Sequence, residues 1–155
     1  ARRPSHTPPT TGARGTRARV TEEGLSGHTK VGELNGGMFV CKYGKKAPYL
    51  HYGVVSAAGE LVHWIEVPLP GPRLPHDMAF SENFSILNDF PMFWDPSLLK
   101  DDVHLPRFFP DLPSRIAVVP RYGRTEGMRW FAAESTYALH FTNAYRVGDE
   151  IWPEG

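Results

Sequence analysis

The sequence predicts an all-β protein, and three observations support this fold class. Short apolar segments recur along the chain with turn-forming residues between them, as in β-sandwiches, barrels and propellers. Glycine and proline number 15 each, which is typical of a chain with many turns. No amphipathic helix of useful length is visible. Because no clean internal repeat is present, an array of WD40-type units is not supported.

The predicted strands follow one another from about Met38. The segment SAAGE (56–60) predicts a hairpin turn around Gly59, and residues 81–83 form a polar break. Residues 92–114 are rich in proline and lack a clear period, which predicts a long surface loop with one helical turn at Pro96–Lys100. The predicted strands are GMFVCKY (37–43), PYLHYGVVSA (48–57), ELVHWIEVPL (60–69), LPHDMAF (74–80), NFSILNDF (83–90), RIAVVPRYG (115–123), MRWFAAE (128–134) and YALHFTNAYRVGDEI (137–151), which closes the pattern.

Residues 1–20 differ in composition from the rest of the chain. They hold five arginines, no acidic residue and almost no large apolar side chain, which predicts a disordered tail. A basic tail that binds an acidic surface is an alternative. A further alternative is a frameshift upstream of about Val20, which would make residues 1–20 a mistranslated tail. Residues 21–155 are predicted to form one β-rich unit.

The overall composition argues against several classes of protein. Lysine plus arginine number 17 and aspartate plus glutamate also number 17, and this zero formal charge argues against nucleic acid as a partner. The single cysteine, Cys41, excludes an internal disulfide framework and indicates a reducing compartment such as the cytoplasm, or a plastid if the source is a plant. No signal peptide is visible, and no apolar run approaches the ~18 residues of a membrane span.

Three of the seven histidines, His28, His76 and His140, stand where a predicted strand meets a break. Their spacings of 48 and 64 residues are far longer than the two to five residues of local metal motifs, so spacing leaves their relation open. If they converge, neutral imidazoles suit iron, zinc or copper, whereas a thiolate site is excluded by the single cysteine. The other four are predicted to be solvated (His6 and His104) or half-exposed in mid-strand (His51 and His63).

Four segments resemble motifs of the carotenoid cleavage oxygenases, a family that includes carotenoid dioxygenases, lignostilbene dioxygenases and the retinal-pigment-epithelium isomerase. HDMAFSENF (76–84) is similar to the family's His-Asp-Phe-aliphatic-x-Thr-Glu-Asn-Tyr segment. The family's other motifs are an Ala-His-Pro-Lys segment, a Pro-Arg pair followed by Trp-Phe, and Phe-His-x-x-Asn-Ala-aromatic ending in Gly-Asp-Glu. Their counterparts are GHTK (27–30), PR (120–121) with WF (130–131), and LHFTNAY (139–145) with GDE (148–150).

The resemblance covers about residues 24–151 and implies a fold, a metal and a reaction. The fold is a seven-bladed β-propeller, of which residues 21–155 supply roughly a third. The implied metal is Fe(II) bound by four histidines, with His28, His76 and His140 matching three of them and the fourth outside this chain. The implied reaction cleaves a carbon–carbon double bond of a carotenoid or apocarotenoid with O₂, giving two carbonyl products. Thr29 and Arg146 depart from the family's usual proline and acid.

Three alternatives stay open from the sequence. A lignostilbene-type dioxygenase acts on phenolic stilbenes in place of carotenoids. The second alternative is a propeller fragment that has no complete metal site and no enzymatic function. Even as part of an active enzyme, residues 1–155 alone are expected to be inactive. An unrelated β-sandwich binding module requires the motif matches to be coincidental. The apolar run Leu105, Pro106, Phe108 and Phe109 is also consistent with a tunnel mouth or a peripheral membrane contact.

Overall fold

The computed structural model describes residues 25–32 and 36–155, and the tail predicted over residues 1–20 lies outside them. Across the described residues the chain forms twelve β-strands, one short helix and one 3-10 turn. No helix in this part is long and apolar enough to cross a bilayer. In chain order the elements are β1 Lys30–Val31, β2 Met38–Tyr43, β3 Leu50–Val55, β4 Leu61–Glu66, β5 Ala79–Phe80, β6 Phe84–Asp89, β7 Met92–Trp94, α1 Pro96–Leu99, β8 Pro106–Phe108, β9 Ser114–Pro120, the 3-10 turn Thr125–Gly127, β10 Arg129–Ala133, β11 Asn143–Val147 and β12 Glu150–Glu154.

The strands form two four-stranded antiparallel sheets and two hairpins. The first sheet has the order β1-β2-β3-β4, and the second has the order β10-β9-β6-β5. Strands β11 and β12 pair as one hairpin, and β7 and β8 pair as another that interrupts the second sheet between β6 and β9. Three strands, β1, β5 and β11, each lie at one edge of their sheet. They follow His28, His76 and His140, respectively.

The predicted hairpin of the first sheet is confirmed. The Ser56 amide donates to the Glu60 carbonyl at 2.8 Å, and Gly59 adopts a φ of +84°, which favours glycine. Within β3, Gly53 lies opposite Trp64 of β4, so the indole packs directly on the glycine backbone. Strands β2 and β3 are mostly buried, whereas β4 at the edge of the sheet is exposed or half-buried.

Replacing Gly53 with alanine is expected to lower the free energy of unfolding by about 1–3 kcal/mol, the usual cost of overpacking a filled site. The added Cβ would lie 2.5 Å from Trp64 Cε3 and 3.0 Å from the His63 carbonyl oxygen. Denaturant melts compared with those of Gly44→Ala measure the effect, since the Cβ at Gly44 would meet nothing within 4 Å. Equal stability of the two variants would contradict this close packing.

A shared core joins the two four-stranded sheets. Phe39 of β2 is fully buried and its ring centroid lies 4.9 Å from that of Phe80 in β5. The Tyr52 hydroxyl donates to the Arg121 carbonyl at 3.0 Å and accepts from the Ser85 hydroxyl at 2.7 Å, and burial raises its pKa to about 12. The buried members of this core are Phe39, Cys41, Leu50, Tyr52, Val54, Val67, Leu69, Met78, Leu87, Ala117 and Val119.

A smaller apolar cluster joins the second sheet to the β11–β12 hairpin. It consists of Ala79, Ile86, Phe90, Phe141 and Ala144. Because Ala79 lies in β5 and Ala144 in β11, the two strands that follow His76 and His140 pack side by side. The segments that carry the selected histidines are therefore fixed to one another through the packing of their sheets.

Three segments differ from the sequence prediction. The helical turn at Pro96–Leu99 is confirmed, with Asp95 accepting from the Ser97 amide at 2.9 Å, but the surrounding loop contains the β7–β8 hairpin. The strand predicted over 74–80 is confined to 79–80, because the preceding residues form the turn that carries His76. Residues 137–151 hold one strand, β11, which turns back at Gly148 (φ +59°) into β12.

Candidate metal centre

The three histidines at the sheet edges meet at one place. The ring centroids of His28 and His76 are 4.4 Å apart, those of His28 and His140 are 4.6 Å apart, and those of His76 and His140 are 5.3 Å apart. One ring nitrogen from each histidine lies within 4.8 Å of the others. Residues separated by 48 and 64 positions in the sequence therefore form a compact cluster of imidazoles.

Each histidine lies in an irregular segment just before the edge strand of its sheet. His28 precedes β1 by two residues, whereas His76 and His140 precede β5 and β11 by three. Pro75 fixes the backbone angle before His76, and the His76 amide donates to the Leu74 carbonyl at 2.8 Å. His76 therefore sits in the turn before its strand, not at the strand's first residue as its sequence pattern suggested.

The Ser26 side chain connects the first two of these segments. Its hydroxyl donates to the His76 carbonyl at 3.0 Å and accepts from the His28 amide at 3.4 Å. The Ser26 amide in turn donates to the Cys41 carbonyl of β2 at 2.8 Å. One hydroxyl thus holds two histidine backbones against the first sheet.

The surroundings of His76 favour its neutral imidazole, the form that binds metals. The pKa of His76 is lowered first by burial and then by the neighbouring His28 and His140, and Asp77 opposes this only in part. His140 is exposed, while the other two are half-buried, so one side of the cluster is open to a ligand. Burial raises the pKa of the Cys41 thiol to about 11, and Cys41 is not a member of the cluster.

The three imidazoles fit a transition-metal ion. Nitrogen atoms that bind one such ion lie about 2.1 Å from it, and so within about 4.2 Å of each other. The observed limit of 4.8 Å comes close to this value. Within residues 25–32 and 36–155 the cluster offers nitrogen ligands alone, the donor set that iron, zinc and copper accept.

The other histidines in the described residues lie away from this cluster. His51 and His63 are half-buried on opposite faces of the first sheet, where His51 stacks on Trp64 with ring centroids 5.2 Å apart. His104 is exposed, as predicted, and its Nε2 lies 2.7 Å from Asp102 Oδ1. His6 lies outside the described residues.

Sequence reasoning missed two charged residues next to the histidines, Lys30 and Asp77. The Asp77 side chain is 1% exposed, and its Oδ2 lies 2.9 Å from Lys30 Nζ. Burial alone would raise the pKa of Asp77, but hydrogen bonds from the Phe141 amide, Lys30 and the Met78 amide lower it. The position of Asp77 inside an apolar segment could have predicted an ion pair, because a buried charge requires a partner.

A cavity of about 420 Å³ lies beside the three edge strands. Its walls come from the start of β1, from β5 with the residues around it, and from the start of β11. Lys30 and Arg121 contribute cationic side chains to these walls, and Phe80 and Phe141 contribute apolar ones. Residues from three sheets therefore line one partly open space.

A protein-family model matches almost the whole chain. The family is described as retinal pigment epithelial membrane protein (RPE65), and the match covers residues 8–154. The carotenoid 9,10(9',10')-cleavage dioxygenase 1 of Arabidopsis thaliana is 33% identical over 129 residues, which is 82% of this chain and 24% of that protein. The isoeugenol monooxygenase of Pseudomonas nitroreducens is 30% identical over 139 residues, which is 86% of this chain and 29% of that protein.

Solved structures confirm the predicted fold class. The lignostilbene dioxygenase of Pseudomonas brassicacearum superposes with a TM-score of 0.75 at 28% sequence identity, covering 83% of this chain and 28% of that structure. The chain is therefore all-β and forms part of a seven-bladed β-propeller. The matched region spans 24% of the length of the Arabidopsis thaliana dioxygenase and 29% of the length of the Pseudomonas nitroreducens monooxygenase.

Proposed function

The chain belongs to the RPE65 family of carotenoid oxygenases, and on this premise we propose that it is part of an Fe(II)-dependent dioxygenase. Its substrate is a carotenoid or apocarotenoid, and a carbon–carbon double bond of the conjugated chain is cleaved to two carbonyl products. The observation that carries the proposal is the convergence of three imidazoles from three sheets on one point.

His28, His76 and His140 are the proposed ligands of the iron, and a fourth histidine outside this chain completes the set. Zinc fits the same nitrogen donors but has no redox chemistry, so iron is proposed because the relatives are named as oxygenases. Bound iron supplies the one-electron chemistry that lets O₂ react with an alkene. The chain's own contribution is to keep the His76 imidazole neutral and to fix the positions of all three rings.

The proposed reaction has a simple atom balance. One molecule of O₂ adds across one double bond, both the carbon–carbon bond and the oxygen–oxygen bond break, and each new carbonyl group keeps one oxygen atom. No further oxidant or reductant is required. The test is to run the reaction of the natural polypeptide that carries residues 1–155 under ¹⁸O₂ and to measure the label in both products by mass spectrometry.

We expect label in both carbonyl groups with an apocarotenoid substrate. Label in one product alone would contradict the dioxygenase and favour monooxygenase chemistry. Failure of the iron-loaded protein to cleave any alkene would favour the inactive propeller fragment. Rapid trapping of the aldehydes is needed in this experiment, because carbonyl oxygens exchange with water.

A second candidate substrate is a phenolic stilbene. It is favoured by the 28% identity to a lignostilbene dioxygenase and the 30% identity to an isoeugenol monooxygenase. Competition between an apocarotenal and a hydroxystilbene in one assay separates the two substrate classes through the ratio of their kcat/KM values. A ratio above ten in either direction assigns the class.

A peripheral membrane contact is also proposed, since carotenoids partition into bilayers. Leu105 is 52% exposed and Phe108 is 44% exposed, whereas Phe109 stacks on Phe93 with ring centroids 4.2 Å apart. Because burying such a side chain is worth about 1.5 kcal/mol or more, serine at both exposed positions is expected to weaken liposome binding at least tenfold. Liposome flotation assays measure the change in binding. The control is Val62→Ser, because Val62 is an exposed residue of strand β4. Equal flotation of the variants would contradict the contact.

The proposed location is a reducing compartment, the cytoplasm or a plastid. The buried thiol of Cys41 is unpaired, which agrees with reducing conditions. Expression of the natural polypeptide with a fluorescent tag, followed by fractionation, tests this proposal. Recovery from a secreted fraction would contradict it.

A further inference from the structure

One ion pair connects all three segments that carry the clustered histidines. Lys30 Nζ donates to Asp77 Oδ2 at 2.9 Å and to the Phe141 carbonyl at 3.2 Å. The Phe141 amide donates to the same Asp77 oxygen at 2.9 Å. The three bonds form a closed triangle whose corners lie 47, 64 and 111 residues apart in the sequence.

Each corner of the triangle lies within two residues of a clustered histidine. Lys30 follows His28 by two positions, Asp77 follows His76 directly, and Phe141 follows His140 directly. Each pair of segments therefore has its own bond: Lys30 to Asp77 for the first pair, Asp77 to Phe141 for the second, and Lys30 to Phe141 for the third. Movement of any one histidine segment strains two of these bonds.

The environment of Asp77 makes the triangle stiff. Its side chain is 1% exposed, and its second oxygen accepts from the Met78 amide at 2.7 Å. Its backbone carbonyl accepts from the Asn88 side chain of β6 at 2.8 Å. Both carboxylate oxygens are thus satisfied by fixed donors, and a buried charge held in this way resists displacement.

We propose that Lys30 and Asp77 are positioning residues that clamp the three histidine-bearing segments of the metal centre at a fixed separation. This inference rests on the proposed function, because it concerns the same centre. Neither side chain is a member of the imidazole cluster. The clamp acts on the backbone beside each histidine, so its effect is to preorganise the ligands before a metal binds.

The direction in which metal affinity changes when Lys30 is replaced distinguishes a clamp from a purely electrostatic effect. Removing a positive charge near a cation site favours cation binding if charge alone matters. Removing the clamp weakens binding, because the segments must then be ordered by the metal itself. Lys30→Met keeps most of the length of the side chain while it deletes the two hydrogen bonds and the charge. The two explanations therefore predict opposite changes in metal affinity.

The experiment measures Fe(II) and Co(II) affinity by chelator competition in the natural polypeptide that carries residues 1–155. Loss of a supporting contact beside a ligand typically weakens metal binding by about 10–100-fold. We expect this loss for Lys30→Met and for Asp77→Asn, with substantial recovery in Lys30→Arg. The controls are Lys46→Met, an exposed lysine, and Asp95→Asn, a buried carboxylate that binds Arg107 at 2.6 Å away from the cluster.

Hydrogen exchange gives a readout that requires no metal. Lys30→Met is expected to accelerate exchange of the Phe141 amide, which lies 111 residues away in the sequence. Metal affinity in Lys30→Met equal to or higher than that of the unaltered protein would overturn the clamp, as would unchanged exchange at Phe141. If the unaltered protein binds no metal but its exchange responds to Lys30→Met, the proposed function fails and the mechanical link remains. If Asp77→Asn does not fold, Lys30→Met alone decides, since Lys30 is 24% exposed.

Discussion

Replacing His76 with alanine is expected to remove iron and activity from the protein together. His76 lies next to both other imidazoles, with ring centroids 4.4 Å from His28 and 5.3 Å from His140. Removal of a ligand should weaken metal binding by more than the ~100-fold that loss of a supporting contact reaches. Iron content measured by elemental analysis after gel filtration, together with the rate of alkene cleavage, checks this result.

The same variant is expected to lose stabilisation by the metal. A ligand present at 100 times its dissociation constant adds about 2.7 kcal/mol to the free energy of unfolding when it binds the folded state alone. The unaltered protein should therefore melt at a higher temperature with Fe(II), whereas His76→Ala should not respond. His104→Ala is the matched control, because His104 is exposed and lies outside the cluster. Iron retained by His76→Ala would refute the ligand assignment.

His28 provides the sharper test of the assignment within the same series. Thr29 follows it where relatives usually carry proline, so the resemblance alone supports it least. Its ring nevertheless has the shortest centroid distances to the other two, at 4.4 and 4.6 Å. We therefore expect His28→Ala to match His76→Ala in iron content. A variant that keeps its iron would show that His28 packs beside the centre without binding it.

Much of the β-structure could be predicted from local sequence. Strands β2, β3, β4 and β6 carry apolar residues in runs bounded by glycine, proline or polar breaks, and each is confirmed within two or three residues of its predicted ends. The β7–β8 hairpin was missed for a physical reason. All three residues of β8 are exposed and the strand begins with Pro106, so neither alternation nor β-propensity marks it.

The candidate centre could not be predicted from local pattern. The spacings of 48 and 64 residues between the histidines carry no metal signature, and only the family resemblance grouped them. The structure brings them together because each precedes the edge strand of a different sheet. The bonds of Lys30 to Asp77 and Phe141 are equally invisible in the sequence, since they depend on how three sheets pack.

Replacing Phe39 with alanine is expected to lower the free energy of unfolding by about 3–5 kcal/mol, the usual cost of deleting a buried aromatic ring. Phe39 is fully buried between the two four-stranded sheets and packs on Phe80, while the Arg121 guanidinium lies over its ring at 4.6 Å. Neighbours from both sheets meet here, so neither sheet can collapse into the cavity without moving the other. Urea melts followed by circular dichroism measure the change.

The Phe39 substitution also links packing to the metal centre. Phe39 pairs in register with Lys30 of β1, whose preceding residues carry His28. A shift of β2 into the cavity therefore moves β1 and, with it, one proposed ligand and one half of the clamp. We expect Phe39→Ala to weaken iron binding as well as stability, whereas Phe39→Leu, which keeps most of the volume, should cost less than about 1.5 kcal/mol and retain iron. Loss of stability in Phe39→Ala with unchanged iron affinity would show that the centre is held by its own segments, independently of the sheet-to-sheet core.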